Sequence, residues 1–213
     1  MYKEKEKVVM KNETKNVVNE NYLFLGDSIT DYYDLDKYFP GYPVVNIGVS
    51  GDKTKSILDD MYNRVYRYNP SKIILLIGIN NFLHENATSS DVFSAIEEIT
   101  DKIEERLPNA KIYIESIYPV NDDWRRNHNN NVPPSKKVKK EIDETNENLE
   151  KLSKEKNYIY IDLNSKLSDE KGYFDKEYTD DGLHPNENGY EKITEELKKV
   201  LNLWKNTSFF FLK

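Results

Sequence analysis

The chain has 213 residues, a length that suits one domain and allows a sizeable buried core. It contains no cysteine, which excludes disulfides and thiolate metal sites, and its net charge of -7 disfavours a nucleic-acid partner. Because no apolar run is long enough to cross a membrane or to serve as a secretory signal, we expect a cytoplasmic protein without stable membrane anchoring.

Composition divides the chain into three segments. The first 20 residues are rich in Lys, Glu and Asn, which predicts a charged arm or peripheral helix. We expect one domain over 21–204, followed by a tail over 205–213. That tail contains three consecutive phenylalanines, which we expect to pack on the body or on a partner.

Apolar runs alternate with amphipathic segments along the domain. Continuous apolar runs predict buried strands, and a period of 3.6 residues predicts helices. The predicted strands span 22–25, 44–47, 73–79, 111–118 and 158–163. The predicted helices span 53–68, 92–107, 138–152 and 190–201. This alternation predicts an α/β fold with a central parallel sheet of about five strands and helices on both faces.

The polar loops of the domain follow the predicted strands. In a parallel α/β sheet, ligands bind beyond the carboxyl ends of the strands, so these loops are where chemistry is expected. The loops are GDSITD (26–31), GVSGDKT (48–54), GINNF (78–82), the segment 119–135 and TDDGLHP (179–185). They contain two of the three histidines.

Ser28 is the candidate nucleophile in the first loop. A serine hydroxyl needs a base within hydrogen-bond reach and donors for the developing oxyanion. Gly26 allows a tight turn before it, and the Ser28 N–H is placed to face such a charge. The alternative is that Asp27 or Ser28 only caps a helix beginning near Thr30. The stretch is not the G-x-S-x-G nucleophile elbow.

His184 is the best-placed candidate base. Asp181 lies three residues earlier, where its carboxylate can orient the imidazole and stabilise its charged form. The alternative is a loop histidine beside solvated acidic residues. His84 and His128 are interpreted as surface residues. No histidine and carboxylate cluster has zinc spacing, so neither a metal nor another cofactor is expected.

Two further residues are candidate oxyanion donors. Gly51 can offer its backbone N–H, and Asn80 can offer its side-chain amide directly after a predicted central strand. Taken singly, Gly51 also fits a plain turn glycine and Asn80 a turn residue. The four loops together indicate a site because they fall in order on one edge of one sheet.

These four blocks resemble the SGNH hydrolases, also called GDSL-type esterases and lipases. They occur here as GDSIT, NIGVSGDKT, GINN and DGLHP, and the resemblance covers roughly residues 21–201. The segment SIYPVND (116–122) is similar to a stretch of the family's acyl-esterase and lysophospholipase-like branch. The resemblance implies a flavodoxin-like three-layer α/β/α sandwich and ester hydrolysis through an acyl-enzyme.

The same resemblance implies roles for individual residues. Ser28 is the nucleophile, His184 the general base and then acid, and Asp181 orients His184. The Ser28 N–H, the Gly51 N–H and the Asn80 amide form the oxyanion hole. The family often has Asp after the third-block asparagine, whereas this chain has Asn81, which puts a role for that carboxylate in doubt.

Four residues are candidates for supporting the site or binding substrate. They are Asp27, Asn81, Trp124 and Arg125. The insert 121–135, which carries the last two, is expected to border the site and to bind a sugar ring or an anionic group, or to be a solvated loop.

The sequence therefore predicts a serine esterase acting on a small-molecule ester, with carbohydrate O-deacetylation as the favoured use. Lysophospholipids, other short-chain lipids and thioesters remain alternatives, because all use the same apparatus. A non-catalytic module that binds carbohydrate or acyl chains is the alternative of another class. A flavodoxin-like nucleotide protein is a third, although neither a G-x-x-x-x-G-K-[ST] nor a G-x-G-x-x-G motif is present.

Overall fold

Five parallel strands organise residues 21–128 and 131–203, the part of the chain that a computed structural model describes. The strands are β1 (Tyr22–Gly26), β2 (Val44–Gly48), β3 (Lys72–Leu76), β4 (Lys111–Glu115) and β5 (Ile159–Ile161). Their order across the sheet is β2-β1-β3-β4-β5, and every neighbouring pair is parallel. The predicted parallel sheet of five strands is confirmed.

Helices cover both faces of the sheet, as predicted. The long helices are α6 (Ser89–Arg106), α8 (Ser135–Lys156) and α10 (Glu187–Leu201). The shorter ones are α1 (Ser28–Asp31), α2 (Leu35–Tyr38), α3 (Thr54–Asp59), α4 (Met61–Arg64), α5 (Ile79–His84), α7 (Asp122–Asn127) and α9 (Asn164–Leu167), with a 3-10 turn at Tyr66–Tyr68. Helix α6 contacts α3 and α8, whereas α10 contacts α9 and hydrogen-bonds to α1. The result is a three-layer α/β/α sandwich.

The two central strands, β1 and β3, are buried except at Lys72, the first residue of β3. All five residues of β1 are buried, and Leu25 and Ile73 have no exposed surface. A strand covered on both faces needs apolar side chains at every position, which is why β1 and β3 read as continuous apolar runs. None of the helices within the described ranges is long and apolar enough to cross a membrane.

The strand order places a crevice at the carboxyl ends of β1 and β3. After β1 the chain adds β2 on one side of it, and it then adds β3, β4 and β5 on the other side. In doubly wound folds, ligands bind where the direction of strand addition reverses in this way, here between β1 and β3. Ser28 follows β1 directly and Asn80 follows β3, so the topology alone brings the two residues to the same crevice.

The predicted helix over 53–68 is wrong in extent. It is divided into α3, α4 and the 3-10 turn. Asp60 leaves the helical region at φ -138° and ψ 46°, and its side chain accepts a hydrogen bond from the Asn63 backbone N–H. An aspartate that caps a new helix competes with continuation of the old one. The break redirects Arg64 toward the ends of β1 and β2.

The predicted strand over 73–79 is also too long. Strand β3 ends at Leu76, and GINNF is not a loop, because α5 begins at Ile79. Gly78 between them has φ +129°, a conformation that residues with a Cβ rarely adopt. Asn80 therefore lies in the first turn of a helix. Within the insert 121–135, helix α7 replaces part of the expected loop.

The predicted arm over 1–20 and the phenylalanine tail lie outside the described residues. The domain boundaries therefore stay a prediction.

Candidate active site

Ser28 is the first residue of α1, immediately beyond β1. The carboxylate that caps this helix belongs to Asp27, whose Oδ1 accepts a hydrogen bond from the Ile29 backbone N–H at 3.0 Å. The capping alternative is therefore correct for Asp27, and it leaves the Ser28 hydroxyl available for another partner. As the first residue of a helix, Ser28 also has a backbone N–H without an intrahelical acceptor.

Ser28, His184 and Asp181 form one chain of hydrogen bonds. Ser28 Oγ lies 2.9 Å from His184 Nε2, and His184 Nδ1 lies 2.7 Å from Asp181 Oδ2. A carboxylate only accepts hydrogen bonds, so Nδ1 carries the ring proton and donates a hydrogen bond to Asp181. Nε2 is then free to accept from the serine hydroxyl. This is the geometry that a serine needs in order to be activated as a nucleophile.

The loop 179–185 holds Asp181 and His184 through its own backbone. Asp181 Oδ1 accepts from the N–H groups of Leu183 at 2.9 Å and His184 at 2.8 Å. Thr179 Oγ1 donates to the His184 carbonyl at 2.8 Å and accepts from the Gly182 N–H at 2.9 Å. A local sequence of seven residues is thus sufficient to fix the carboxylate against the imidazole.

These contacts also keep Asp181 ionised. Partial burial alone raises the pKa of a carboxylate, but here the hydrogen bonds from the His184 ring and from the His184 and Leu183 backbone lower the pKa of Asp181 to about 2. Asp181 is therefore an anion at neutral pH. It can stabilise the imidazolium that forms when His184 takes a proton.

Gly51 lies in the loop after β2, and Asn80 lies in the first turn of α5, after β3. Gly51 has φ +83°, and a Cβ added at that position would meet no described atom within 4 Å. The glycine is therefore required by the backbone conformation and faces open space. Asn80 is buried, and its Nδ2 donates one hydrogen bond to the Asp52 carbonyl at 3.0 Å. The second N–H of that amide is available to another acceptor.

Asn81 points away from this group. Its Oδ1 accepts from the Thr54 N–H at 3.2 Å, and its Nδ2 donates to Thr54 Oγ1 at 3.2 Å and Glu85 Oε2 at 3.1 Å. These bonds attach the start of α3 to α5. Asn81 therefore holds Thr54, at the end of the Gly51 loop, against α5. Its amide makes these bonds at the position where the family often has a carboxylate.

Asp27 is fully buried beneath Ser28. Its second oxygen, Oδ2, has no hydrogen-bond partner among the described residues. Burial raises the pKa of Asp27 to about 7, although the hydrogen bond from Ile29 and the nearby His184 act in the opposite direction. Burial likewise raises the pKa of Glu115 to about 7, and the charge of Asp27 adds to that shift. The two carboxyls form an acidic pair under the site.

Trp124, from the insert, lies beside His184. Its ring meets the His184 ring edge to face, with centroids 5.5 Å apart, and packs on His128 with centroids 3.7 Å apart. Asn121 holds this segment against the loop 179–185, since its N–H donates to the Gly182 carbonyl at 3.0 Å. Arg125 lies on α7, but its side chain is outside what the structure describes.

Two residues near the site were missed by sequence reasoning. Tyr32 follows α1, and its ring centroid lies 5.2 Å from that of His184. It lies four residues after Ser28, so helical spacing gives a signal that places both on one face. Arg64 forms an ion pair with Asp52, and its Nη2 donates to the carbonyls of Gly26 and Ile47. No sequence pattern marks Arg64, because the direction of its side chain depends on the helix break at Asp60.

Other features of the surface lack comparable chemistry. A cleft of about 600 Å³ lies at the opposite end of the sheet, among the residues that precede β1, β3 and β4. It brings together turn and backbone groups, without a serine and histidine pair. Among the described residues, no three His, Asp or Glu side chains are grouped so that they could hold a metal ion.

Comparison with known proteins gives relatives for most of the chain. A multidomain esterase of Ruminococcus flavefaciens is 29% identical over 189 residues, which are 85% of this chain and 22% of that protein. The human platelet-activating factor acetylhydrolase IB subunit alpha2 is 33% identical over 102 residues, 46% of this chain and 43% of that protein. The chain thus spans less than half the length of these curated relatives.

Solved structures and a family model agree with the fold. A Streptococcus pneumoniae protein whose name refers to platelet activating factor has a TM-score of 0.76 and 29% identity, covering 88% of this chain and 86% of its own. The model of the GDSL-like lipase/acylhydrolase family matches residues 24–192, a range that includes all four blocks. The chain therefore belongs to the GDSL-like lipase/acylhydrolase family.

Proposed function

We propose that the chain is a serine ester hydrolase that removes small acyl groups through an acyl-enzyme. The observation that carries this proposal is the continuous path of hydrogen bonds from Ser28 Oγ through His184 to Asp181, 2.9 Å and 2.7 Å long. A module that only binds its ligand has no need of an imidazole oriented by a carboxylate. Family membership supports the same class of reaction.

The proposed reaction has two steps. In the first, His184 Nε2 takes the proton of Ser28 as the oxygen attacks the ester carbonyl, and the N–H groups of Ser28, Gly51 and Asn80 stabilise the oxyanion. Protonated His184 then gives its proton to the departing alcohol, which leaves the acyl group on Ser28. In the second step His184 takes a proton from a water whose oxygen attacks the acyl carbonyl. Protonated His184 then returns that proton to Ser28 Oγ as the bond between the acyl carbon and the serine oxygen breaks and the acid leaves.

O-acetylated carbohydrates are the proposed substrates. The matched curated relatives include an esterase and an acetylhydrolase, names that support a short acyl group. Two aromatic rings beside His184 support an alcohol with a ring face. Lysophospholipids and thioesters use the same residues for the chemistry, so the acyl and alcohol preferences decide between them.

The experiment is labelling with a fluorophosphonate probe and a rate series from p-nitrophenyl acetate to octanoate. We expect labelling at Ser28 and the fastest turnover for acetate. Ser28→Ala should lower kcat by at least about a thousandfold while the protein stays folded. Ser165→Ala is the matched control, because Ser165 is exposed at the start of α9.

Two results would count against this proposal. Wild-type turnover by Ser28→Ala would show that another group is the nucleophile. Saturable carbohydrate or acyl-chain binding, without labelling and without hydrolysis of any ester, would favour the non-catalytic binding module. A preference for longer chains would keep the esterase and move its substrate toward lipids.

A further inference from the structure

The His184 ring has two aromatic neighbours that differ in exposure. Tyr32 lies 5.2 Å away, centroid to centroid, and Trp124 lies 5.5 Å away. Tyr32 is 56% exposed, whereas the indole N–H of Trp124 is buried and the ring packs on His128. Of the two rings, Tyr32 is therefore the one that presents a free face to a ligand.

The chemistry assigns a side of the site to each half of an ester. The carbonyl oxygen must face the N–H donors of Gly51 and Asn80, and the alcohol oxygen must lie near His184 Nε2, which protonates it. The group next to the imidazole therefore contacts the alcohol portion. This orientation of the ester rests on the proposed function, since it follows from the direction in which His184 passes the proton.

We propose that the exposed face of Tyr32 is the platform for the alcohol portion of the ester and selects a neutral sugar ring. A pyranose or furanose has an apolar C–H face that can be covered by an aromatic ring, and hydroxyls at its edge. A single open ring suits such a flat face. Binding energy from this part of the substrate orients the carbonyl toward Ser28.

The charges that the structure describes beside Tyr32 favour a neutral alcohol over a phosphate-bearing one. Asp31, adjacent in the chain, is exposed and accepts a hydrogen bond from Ser50 Oγ at 2.5 Å. Asp181 is held as an anion behind His184. Carboxylates can accept hydrogen bonds from sugar hydroxyls, whereas they repel a phosphate. The alcohol of a lysophospholipid is therefore disfavoured on this side.

The test compares esters that share an acetyl group and differ in the alcohol. The probes are an O-acetylated methyl xyloside, ethyl acetate and an acetylated lysophosphatidylglycerol, whose phosphate gives the headgroup a net negative charge, and the readout is the ratio of their kcat/KM values. Tyr32→Ala should lower the ratio of xyloside to ethyl ester about tenfold, mainly through KM, because tenfold corresponds to about 1.4 kcal/mol, which lies within the range of a stacking contact. Tyr32→Phe keeps the ring and should keep the ratio.

Tyr62→Ala is the matched control, since Tyr62 is 67% exposed on α4 and touches none of the site residues named above. It should leave the ratio unchanged. If the xyloside to ethyl ester ratio is unchanged in Tyr32→Ala, the platform is overturned. It is also overturned if the ratio falls in Tyr32→Phe, because that would indicate a hydrogen bond from the hydroxyl. A wild-type preference for the phospholipid ester overturns the choice of a sugar.

Labelling of Ser28 separates this proposal from the one on which it depends. If Ser28 is labelled and esters are hydrolysed, but the ratio does not respond to Tyr32, only the platform is wrong. If neither labelling nor hydrolysis occurs in folded wild-type protein, the ester hydrolase and the platform both fail.

Discussion

Asn80 Nδ2 donates a hydrogen bond to the backbone carbonyl of Asp52, 3.0 Å away. Asp52 is the residue after Gly51, so this bond connects the Gly51 loop to the first turn of α5, the two segments that carry candidate oxyanion donors. The amide geometry then directs the second N–H of Asn80 at a fixed angle to the first. The side chain that positions the Gly51 loop is thus also the candidate donor.

Replacing Asn80 should affect the transition state more than substrate binding. Asn80→Ala is expected to lower kcat about 100- to 1,000-fold, the usual effect of losing one oxyanion donor, with a smaller change in KM. Asn80→Asp should be at least as impaired, because a carboxylate repels the oxyanion. Asn63→Ala, on the exposed side of α4, is the control. A proportional rise in KM with kcat unchanged would contradict the oxyanion role.

Arg64 should matter for stability and for the shape of the site together. Its guanidinium pairs with Asp52 and donates to the carbonyls of Gly26 and Ile47, and the two charged side chains are only 11% and 13% exposed. Removing one partner of a buried pair leaves the other charge uncompensated. Arg64→Met is therefore expected to lower the free energy of unfolding by about 3–5 kcal/mol. Urea denaturation measures this change.

A double-mutant cycle separates the ion pair from packing. Asp52→Asn in the Arg64→Met background should recover part of the lost stability, because it removes the unpaired charge. Arg64→Lys should remain destabilised, since an ammonium cannot reproduce the planar fork that reaches Asp52 and two carbonyls at once. Strictly additive effects of the two substitutions would mean that the charges do not interact.

The raised pKa of Asp27 predicts that the free energy of unfolding falls as pH rises through the acid range. The pKa of Asp27 is about 7 in the folded chain and about 4 in an unfolded one, so between these values the folded state holds a proton that the unfolded state has lost. The free energy of unfolding then decreases with pH, by up to about 1.4 kcal/mol per pH unit, and levels off above pH 7. Urea melts across that range measure the slope.

Asp27→Asn tests the source of this slope. The amide keeps an oxygen for the Ile29 N–H and cannot ionise, so the dependence should become shallower. The part that remains is assigned to Glu115, whose pKa is also raised to about 7 and which accepts a hydrogen bond from Tyr118. An Asp27→Asn profile parallel to that of the wild type would show that Asp27 stays ionised in the folded state.

The order of strands and helices could be predicted from the sequence because strands buried on both faces are continuous apolar runs. The apolar runs of β1 and β3 mark central strands, and the blocks that follow them fall on one edge of the sheet. The course of 53–68 could not be predicted, since the apolar spacing fits one long helix. The capping preference of Asp60 and the buried partners of Arg64 decide it, and the latter are distant in sequence.

Some residues of the candidate site could likewise be predicted from the sequence, and others could not. Asp181 and His184 were recognisable because a loop of seven residues contains both the carboxylate and the imidazole. The depth of Asp27 and the position of Tyr32 depend on how α1 lies against the rest of the molecule. Helical spacing from Ser28 indicates the side on which Tyr32 lies, but not that its face is open. Exposure of an aromatic ring is a property of the packed domain, which local patterns do not encode.

The bond between Ser28 and His184 joins residues 156 positions apart. During synthesis, a nascent chain contains the candidate serine and the three candidate oxyanion donors long before the loop with the candidate base has been made. If His184 is the base, such a chain cannot deprotonate Ser28 until that last loop docks on α1. Recovery of ester turnover after refolding should therefore mark the completion of folding rather than the formation of the sheet.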